Sequence, residues 1–283
     1  MNSISIAFAS GKGGTGKTSL AANFAKFLSH EKNVLLSDLD VEEPNVSIFF
    51  PENEKPGSSY NSKITIPEVD LNKCTYCGKC AQKCNFNAIA VYQDKISIFQ
   101  ELCKGCGRCS NICEAGAINL IESEVGKVNE YSSESLEITE GILNTGNIHT
   151  KSLITDVKKY RHRDINIYDC PPGTTCPMVE SVLDADFTVL VTEPTPFGLH
   201  DLSLAVEVME KLNKKFGVII NKSGDNDHII EDYCKKGNYD ILEKIPFDRT
   251  IAEKCGRGEF YYDDENYRIK MNNIYNHITG KIK

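Results

Sequence analysis

Eight of the twelve cysteines in this 283-residue chain fall between Cys74 and Cys113. They form two runs with the same C-x2-C-x2-C-x3-C spacing, and the second run repeats the first at an offset of 29 positions. The first run is Cys74, Cys77, Cys80 and Cys84, and the second is Cys103, Cys106, Cys109 and Cys113. Because cytosolic thiols are kept reduced, such dense cysteines indicate metal binding more than disulfides.

This spacing is typical of chains that hold two 4Fe–4S clusters on thiolates, and it resembles the two-cluster bacterial ferredoxins. The resemblance implies that the fourth cysteine of each run ligates the cluster of the other run. One cluster would be held by Cys74, Cys77, Cys80 and Cys113, and the other by Cys84, Cys103, Cys106 and Cys109. Asn85 and Glu114 stand where those ferredoxins carry proline. Two zinc sites are the alternative, since C-x2-C pairs also suit tetrahedral zinc.

A phosphate-binding motif lies near the N-terminus, between the apolar run ISIAFA and a helical pattern. The segment 11–18 satisfies G-x-x-x-x-G-K-[ST], in which glycines let backbone N–H groups wrap phosphates at a helix N-terminus. Lys17 is expected to reach the β- and γ-phosphates, and Thr18 to ligate Mg²⁺. The sequence therefore predicts binding of ATP with Mg²⁺.

An additional lysine, Lys12 in KGGTGKT, resembles the deviant Walker A motif of the MinD/ParA-like ATPases. That family includes the nitrogenase iron protein and the Mrp-type cluster carriers. The resemblance implies a homodimer in which Lys12 reaches the partner's nucleotide. It also implies that Asp40 orients or activates the attacking water, with Asp38 near the metal. Asp169 in YDCPPG matches the Walker B aspartate, and the segment 171–173 matches switch II.

Two later segments resemble the adenine side of the family's nucleotide site: Asn221-Lys222 and Pro246-Phe247-Asp248. The expected catalytic residues are Lys12, Lys17 and Asp40, and the expected metal ligands of this site are Thr18, Asp38 and Asp169. The expected nucleotide-binding residues are Gly11, Lys12, Gly13, Gly14, Thr15, Gly16, Lys17, Thr18, Ser19, Asn221, Lys222, Pro246 and Asp248.

Four cysteines lie outside the two runs. Cys176 follows Asp169 by seven residues, a spacing at which the nitrogenase iron protein has a ligand to a cluster that bridges two subunits. Cys176 also stands at the start of a helical pattern, a position that favours a thiolate. It is therefore a candidate metal ligand, with Cys170 as a second candidate, and packing beneath switch II is the alternative. Cys234 and Cys255 have no partner at metal-ligand spacing and are expected to be structural.

Apolar strand patterns alternate with helical patterns along the chain, which predicts an α/β fold with a mostly parallel sheet covered by helices on both faces. The alternation stops near Phe50, where a connector (51–60) leads to the cysteine region, and a polar stretch (122–135) precedes the next helical pattern near Lys151. We therefore expect a P-loop domain in two parts, residues 1–60 and 126–283, with an inserted ferredoxin-like domain at 61–125.

Composition excludes several classes of function. The net charge of −8 and pI of about 5.4 argue against a nucleic-acid partner. The N-terminus has no secretory signal and no run is long and apolar enough to span a membrane, so we expect a cytoplasmic protein. The last helical pattern places Met271, Ile274 and Ile278 on one face with few basic residues, which predicts packing on the core rather than a stable membrane anchor.

Two functions are consistent with these motifs. The first is an ATPase whose nucleotide-switched homodimer controls electron transfer through two 4Fe–4S clusters to a redox partner. The alternative is a carrier or scaffold ATPase that delivers iron–sulfur or other metal clusters to an acceptor protein.

Overall fold

The computed structural model describes residues 3–50, 57–133, 135–160 and 163–282. The strands are β1 (Ile4–Ala9), β2 (Val34–Asp38), β3 (Ser59–Val69), β4 (Ile89–Tyr92), β5 (Lys95–Ile98), β6 (Ile118–Ser133), β7 (Leu136–Leu143), β8 (Ile165–Asp169), β9 (Phe187–Thr192), β10 (Phe216–Ser223) and β11 (Ile241–Pro246). The helices are α1 (Lys17–Leu28), α2 (Lys79–Gln82), α3 (Arg108–Asn111), α4 (Thr150–Val157), α5 (Cys176–Val182), α6 (Pro196–Lys211), α7 (His228–Gly237), α8 (Arg249–Gly256) and α9 (Glu265–Ile282).

Nine of these strands form one sheet in the order β11-β10-β9-β1-β8-β2-β7-β6-β3. The seven strands from β11 to β7 pair in parallel, and β6 and β3 extend the sheet by antiparallel pairing. The predicted α/β class with a mostly parallel sheet is confirmed.

Helices cover both faces of the sheet, as a buried parallel sheet requires. On one face, Leu20 and Phe24 of α1 pack with Met271 and Ile274 of α9 in one apolar core. On the other face, α4, α5, α6 and α7 contribute to a second core, which contains Leu153. The C-terminal helix is thus packed on the core, as the sequence predicts. None of the described helices is long and apolar enough to cross a membrane.

The polar stretch 122–135, for which the sequence indicated no strand, is mostly strand. Residues up to Ser133 belong to β6, which pairs with both β3 and β7, and Glu134 lies outside the described residues. Of the predicted connector, 51–60, residues 51–56 also lie outside the described residues, whereas Ser59 and Tyr60 begin β3. The predicted domain boundaries fall inside β3 and β6, and the division into domains stays a prediction.

The repeat in the cysteine sequence is also a repeat of backbone conformation. Positive φ angles recur at the 29-residue offset: Tyr76 (53°) matches Gly105 (69°), Gly78 (74°) matches Gly107 (69°), and Asn87 (53°) matches Gly116 (59°). Gly78 and Gly107 precede the four-residue helices α2 and α3, which hold the third cysteine of each run. Left-handed backbone at non-glycine residues such as Tyr76 and Asn87 is uncommon. Its recurrence at equivalent positions indicates that the two cysteine loops adopt the same backbone conformation.

Candidate functional site

The carboxyl ends of five parallel strands meet at one edge of the sheet, where α/β proteins commonly bind ligands. The predicted phosphate loop follows β1, and Asp38 and Asp169 end β2 and β8. Asn221 and Lys222 lie near the end of β10, and Glu193 directly follows β9. The fold therefore brings together most residues of the predicted nucleotide site.

The phosphate loop is held tightly by its neighbours. Gly14 and Gly16 adopt left-handed backbone with φ of 77° and 83°. A Cβ atom on Gly16 would lie 2.4 Å from Nδ2 of Asn221, which donates a hydrogen bond to the carbonyl of Thr15 at 2.7 Å. The hydroxyl of Thr15 is buried and has no hydrogen-bond partner among the described residues. A loop of this form, with an orphaned hydroxyl at the start of α1, fits a phosphate group.

Lys17 forms a buried ion pair with the Walker B candidate. Its Nζ atom donates to Oδ1 of Asp169 at 2.5 Å, and the two side chains are 6% and 1% exposed. Burial alone would lower the pKa of Lys17, but the charge and hydrogen bond of Asp169 outweigh it and raise that pKa. The expected phosphate-binding lysine is therefore held, charged, beside Thr18, whose hydroxyl is 3.5 Å away.

The side chain of Asp38 organises the loop that carries Asp40. Its oxygens accept hydrogen bonds from the backbone N–H groups of Asp40, Asn45 and Val46 at 3.0, 2.8 and 2.9 Å. Burial and the register neighbour Asp169 raise the pKa of Asp38 to about 8. Burial also raises the pKa of Asp40 to about 6. Their roles toward metal and water stay predictions.

Glu193 was not identified from the sequence, and it binds two lysines of the site. Lys12 donates to one of its carboxylate oxygens, and Lys222 donates to the other at 3.1 Å. Lys222 also donates to the carbonyl of Gly14 at 2.9 Å. Burial would raise the pKa of Glu193, but hydrogen bonds from the two lysines lower it overall. Its position directly after an apolar parallel strand was the signal that could have revealed it.

The two segments that were predicted to lie on the adenine side of the nucleotide, 221–222 and 246–248, are neighbours in the structure. Pro246 ends β11 and is the register partner of Ser223, whose carbonyl accepts a hydrogen bond from the N–H of Phe247. Asp248 caps α8, because its side chain accepts from the N–H groups of Thr250 and Ile251. The nucleotide-facing role of Pro246 and Asp248 stays a prediction.

The eight clustered cysteines line two cavities, four in each. The hairpin-side cavity, next to β4 and β5, has a volume of about 110 Å³ and is lined by Cys74, Cys77, Cys80 and Cys113. The sheet-side cavity, next to β3 and β6, is smaller at about 20 Å³ and is lined by Cys84, Cys103, Cys106 and Cys109. Each group thus combines three cysteines of one run with the fourth of the other.

Hydrogen-bond donors surround several of these sulfurs. The N–H of Ala88 donates to Sγ of Cys84, and the N–H of Ala117 donates to Sγ of Cys113, both at 3.3 Å. Hydrogen bonds from the backbone of Lys79 and the side chain of Thr75 lower the pKa of the exposed Cys77. Within the described part of the chain, no three Cys, His, Asp or Glu side chains are arranged to hold a metal ion. Four thiols line each cavity, which is the number of thiolate ligands that a 4Fe–4S cluster uses, and occupancy by a cluster stays a prediction.

The remaining four cysteines differ in accessibility. Cys176 is exposed at the first residue of α5, whereas Cys170 and Cys234 are buried and Cys255 is partly buried. Burial raises the pKa of Cys170 to about 12 and that of Cys234 to about 11. Cys170 therefore suits a small packed side chain better than a metal ligand.

Comparison with known proteins agrees with this geometry. The model of the CobQ/CobB/MinD/ParA nucleotide binding domain family (CbiA) matches residues 6–260. An uncharacterized protein of Methanocaldococcus jannaschii is 32% identical over 277 residues, which cover 96% of this chain and 94% of that protein. An Arabidopsis thaliana protein named iron-sulfur protein required for NADH dehydrogenase, mitochondrial, is 40% identical over 80 residues, covering 28% of this chain and 26% of that protein.

Among solved structures, the septum site-determining protein MinD of Pyrococcus horikoshii OT3, complexed with Mg-ADP, has a TM-score of 0.59 at 18% identity. The match covers 100% of this chain and 99% of that one, and it supports the fold. The family model spans most of the chain, and the archaeal relative is 32% identical over nearly all of it. The chain therefore belongs to the CobQ/CobB/MinD/ParA nucleotide-binding domain family, as an ATP-binding ATPase of the MinD/ParA type.

Proposed function

We propose that this protein is an iron–sulfur ATPase in which ATP binding and hydrolysis switch a homodimer and thereby control electron transfer through two 4Fe–4S clusters to a partner protein. The observation that carries the proposal is the crossed grouping of cysteines around two cavities, in a chain that also carries the phosphate loop. A cluster supplies one-electron chemistry when bound. The electron comes from a donor protein and passes to an acceptor protein, and no covalent bond forms or breaks in this step.

The nucleotide half of the cycle uses residues at the sheet edge. Backbone N–H groups of the loop 11–18 and the ammonium of Lys17 bind the phosphates. Thr18, with Asp38 and Asp169 nearby, would hold Mg²⁺, which would neutralise phosphate charge. Asp40 orients the attacking water and accepts its proton. The water oxygen forms a bond to the γ-phosphorus, the bond to the β-phosphate oxygen breaks, and ADP and phosphate leave. ATP must first replace Asp169 as the partner of Lys17.

The dimer is supported by the position of Lys12. In the single chain this lysine is bound to Glu193 of its own chain and remains 29% exposed. We propose that the γ-phosphate in a partner's site competes with Glu193 for Lys12. Dimer formation would then exchange one charged contact for another and would depend on ATP.

The test is metal analysis of anaerobically purified protein. Two 4Fe–4S clusters require about eight irons and eight acid-labile sulfides per chain. The broad visible band should bleach with dithionite. The matched pair of variants is Cys113→Ser, in a cavity, and Cys234→Ser, a buried cysteine outside both runs. We expect loss of iron in the first variant only. Zinc without labile sulfide in the wild-type protein would contradict the proposal.

Cluster delivery is a second candidate, and one observation favours it. Cys176 is exposed at the first residue of α5, beside the segment that follows Asp169, and an exposed thiol suits transient binding of a cluster. Transfer of iron from the purified dimer to an apo-acceptor, without ATP-dependent reduction of an electron acceptor, would support delivery. ATP-dependent electron flow with no loss of iron would support electron transfer.

A further inference from the structure

One histidine connects the sheet-side cysteines to the ATPase helices. His149 is buried, and its Nε2 atom donates a hydrogen bond at 2.5 Å to the backbone carbonyl of Cys103. The side-chain oxygen of Asn147 accepts the backbone N–H of His149 at 2.9 Å, and the same oxygen lies 2.8 Å from Nδ1 of the ring. Both the ring and the backbone of His149 are therefore fixed where the chain enters α4.

His149 is part of the start of α4, so the contact joins the helix itself to the cysteine loop. The carbonyl of His149 accepts hydrogen bonds from the N–H groups of Ser152 and Leu153 in the first turn. Farther along α4, Asp156 accepts a hydrogen bond from the hydroxyl of Ser62 on β3 at 2.5 Å. The helix is thus bonded at two points to the side of the molecule that carries the sheet-side cavity.

The other side of α4 is bonded to α5. Lys158, which follows the helix, is buried and donates to the carbonyls of Glu180 and Ser181 at 2.7 and 3.3 Å. It also pairs with Asp184 at 2.9 Å. The exposed Lys151 pairs with Glu180 at 2.9 Å. These contacts, with the shared apolar core, bind α4 and α5 as one unit.

The start of α5 follows the switch II segment, residues 171–173. In this structure the N–H of Gly173 donates to the carbonyl of Ser10 at 2.9 Å, directly before the phosphate loop. A continuous series of named contacts therefore runs from the phosphate loop through switch II, α5 and α4 to the carbonyl of Cys103. Packed side chains and hydrogen bonds of this kind are able to carry energetic coupling between distant sites.

We propose that His149 is a positioning residue for the cluster of the sheet-side cavity, and that the α4–α5 unit transmits movement of switch II to that cluster. The inference rests on the proposed function, since it requires a cluster at these cysteines. Hydrogen bonds and solvent exposure around the ligands set a cluster's reduction potential. A shift of the 103–109 loop relative to His149 changes both the hydrogen bonds and the solvent exposure of these ligands. The reduction potential of the sheet-side cluster therefore depends on which nucleotide is bound.

The experiment compares wild-type holoprotein with His149→Ala and His149→Gln by redox titration, with ADP and with a non-hydrolysable ATP analogue. In the wild-type protein, we expect the reduction potential of one cluster to differ between the ADP-bound and the analogue-bound states. His149→Ala should lose that shift while keeping its iron, and His149→Gln, which retains a side-chain N–H donor, should restore it. The matched control is His277→Ala, because Nδ1 of His277 also bonds a backbone carbonyl, that of Leu242, at 2.9 Å.

A second variant cuts the network elsewhere. Lys158→Met removes the buried hydrogen bonds and the ion pair that Lys158 makes with the α5 side, but leaves His149 in place. The reduction potentials without nucleotide should therefore be unchanged, and the nucleotide-dependent shift should be reduced. Hydrogen–deuterium exchange of residues 103–109 in the two nucleotide states gives an independent readout of the same coupling. Wild-type-like shifts in both variants would overturn the inference and leave the proposed function intact. A wild-type protein without iron and sulfide would overturn both.

Discussion

Lys17 and Asp169 form a buried ion pair of 2.5 Å that joins the first turn of α1 to the end of β8. Asp38, the register partner of Asp169 on β2, places a second carboxyl beside this pair. The charge of Lys17 is therefore neutralised within the protein by the carboxyl groups at the ends of β2 and β8. Substitutions of Lys17 and Asp169 can therefore distinguish the contribution of the ion pair to folding stability from the contribution of Lys17 to nucleotide binding.

Lys17→Met should abolish ATP binding and also destabilise the nucleotide-free protein. Removing one partner of a buried pair leaves an uncompensated charge and costs about 3 kcal/mol in the free energy of unfolding. Adding Asp169→Asn should recover most of that stability without recovering ATP binding. Urea unfolding and nucleotide titration measure the two effects.

The control is Lys211→Met, which removes an exposed ion pair with Glu207 on α6. Pairs of that kind contribute about 1 kcal/mol or less. Equal losses of stability in the Lys17 and Lys211 variants would contradict the buried-pair interpretation.

Asp40→Asn should retain ATP binding and reduce hydrolysis by about 100-fold or more, the usual contribution of a positioned base. In the wild type, burial raises the pKa of Asp40 to about 6, so the carboxylate is lost as the pH falls through that value. Hydrolysis should therefore decline on the acid side of about pH 6, with binding less affected. The ATP-bound dimer should accumulate in the variant. Wild-type turnover in Asp40→Asn would refute this assignment.

Much of the fold and of the nucleotide site was predictable, because both depend on local patterns. The apolar run ISIAFA corresponds to β1, and the phosphate loop that follows it is recognisable from the spacing of its glycines and lysine alone. The crossed cysteine grouping followed from the ferredoxin resemblance.

Strands β6 and β7 were missed because their buried faces include polar residues with tertiary partners. Thr139 donates to the hydroxyl of Ser37 at 2.9 Å, and Glu140 accepts from Asn129 at 3.1 Å and from Tyr131. A hydropathy pattern treats such polar residues as solvent-exposed, although Thr139 and Glu140 are buried here. Glu193 and His149 were missed for a related reason, since their partners lie far away in sequence.

Glu193→Gln should release Lys12 and favour the ATP-dependent dimer. The Lys12–Glu193 contact is partly exposed, so the effect should be about 1 kcal/mol, or roughly fivefold in the dimer dissociation constant. Light scattering across protein concentrations with an ATP analogue measures it. Glu207→Gln, which removes an exposed ion pair on α6, is the control and should behave as wild type. A weaker dimer in Glu193→Gln would show that Glu193 supports the dimer instead of competing with it.

Cys176 should be the most readily alkylated of the four cysteines outside the two runs. It is exposed, whereas Cys170 and Cys234 are buried with raised pKa values, and both burial and a high pKa slow thiol reactions. If ATP brings two chains together near switch II, the analogue should protect Cys176 and leave the slow reaction of Cys234 unchanged. Mass spectrometry of iodoacetamide-treated protein reports each site separately.

The same residue gives the sharpest test of a shared metal in the dimer. In a symmetric dimer a residue near the axis meets its own copy, so two copies of Cys176 would supply two thiolates. Cys170 is too deeply buried to add a second pair without moving. We therefore expect Cys176→Ser to alter the electron paramagnetic resonance spectrum of the reduced protein only in the ATP-bound dimer, while Cys234→Ser leaves it unchanged. Iron content and spectra identical to wild type in both nucleotide states would leave Cys176 as a structural residue at the start of α5.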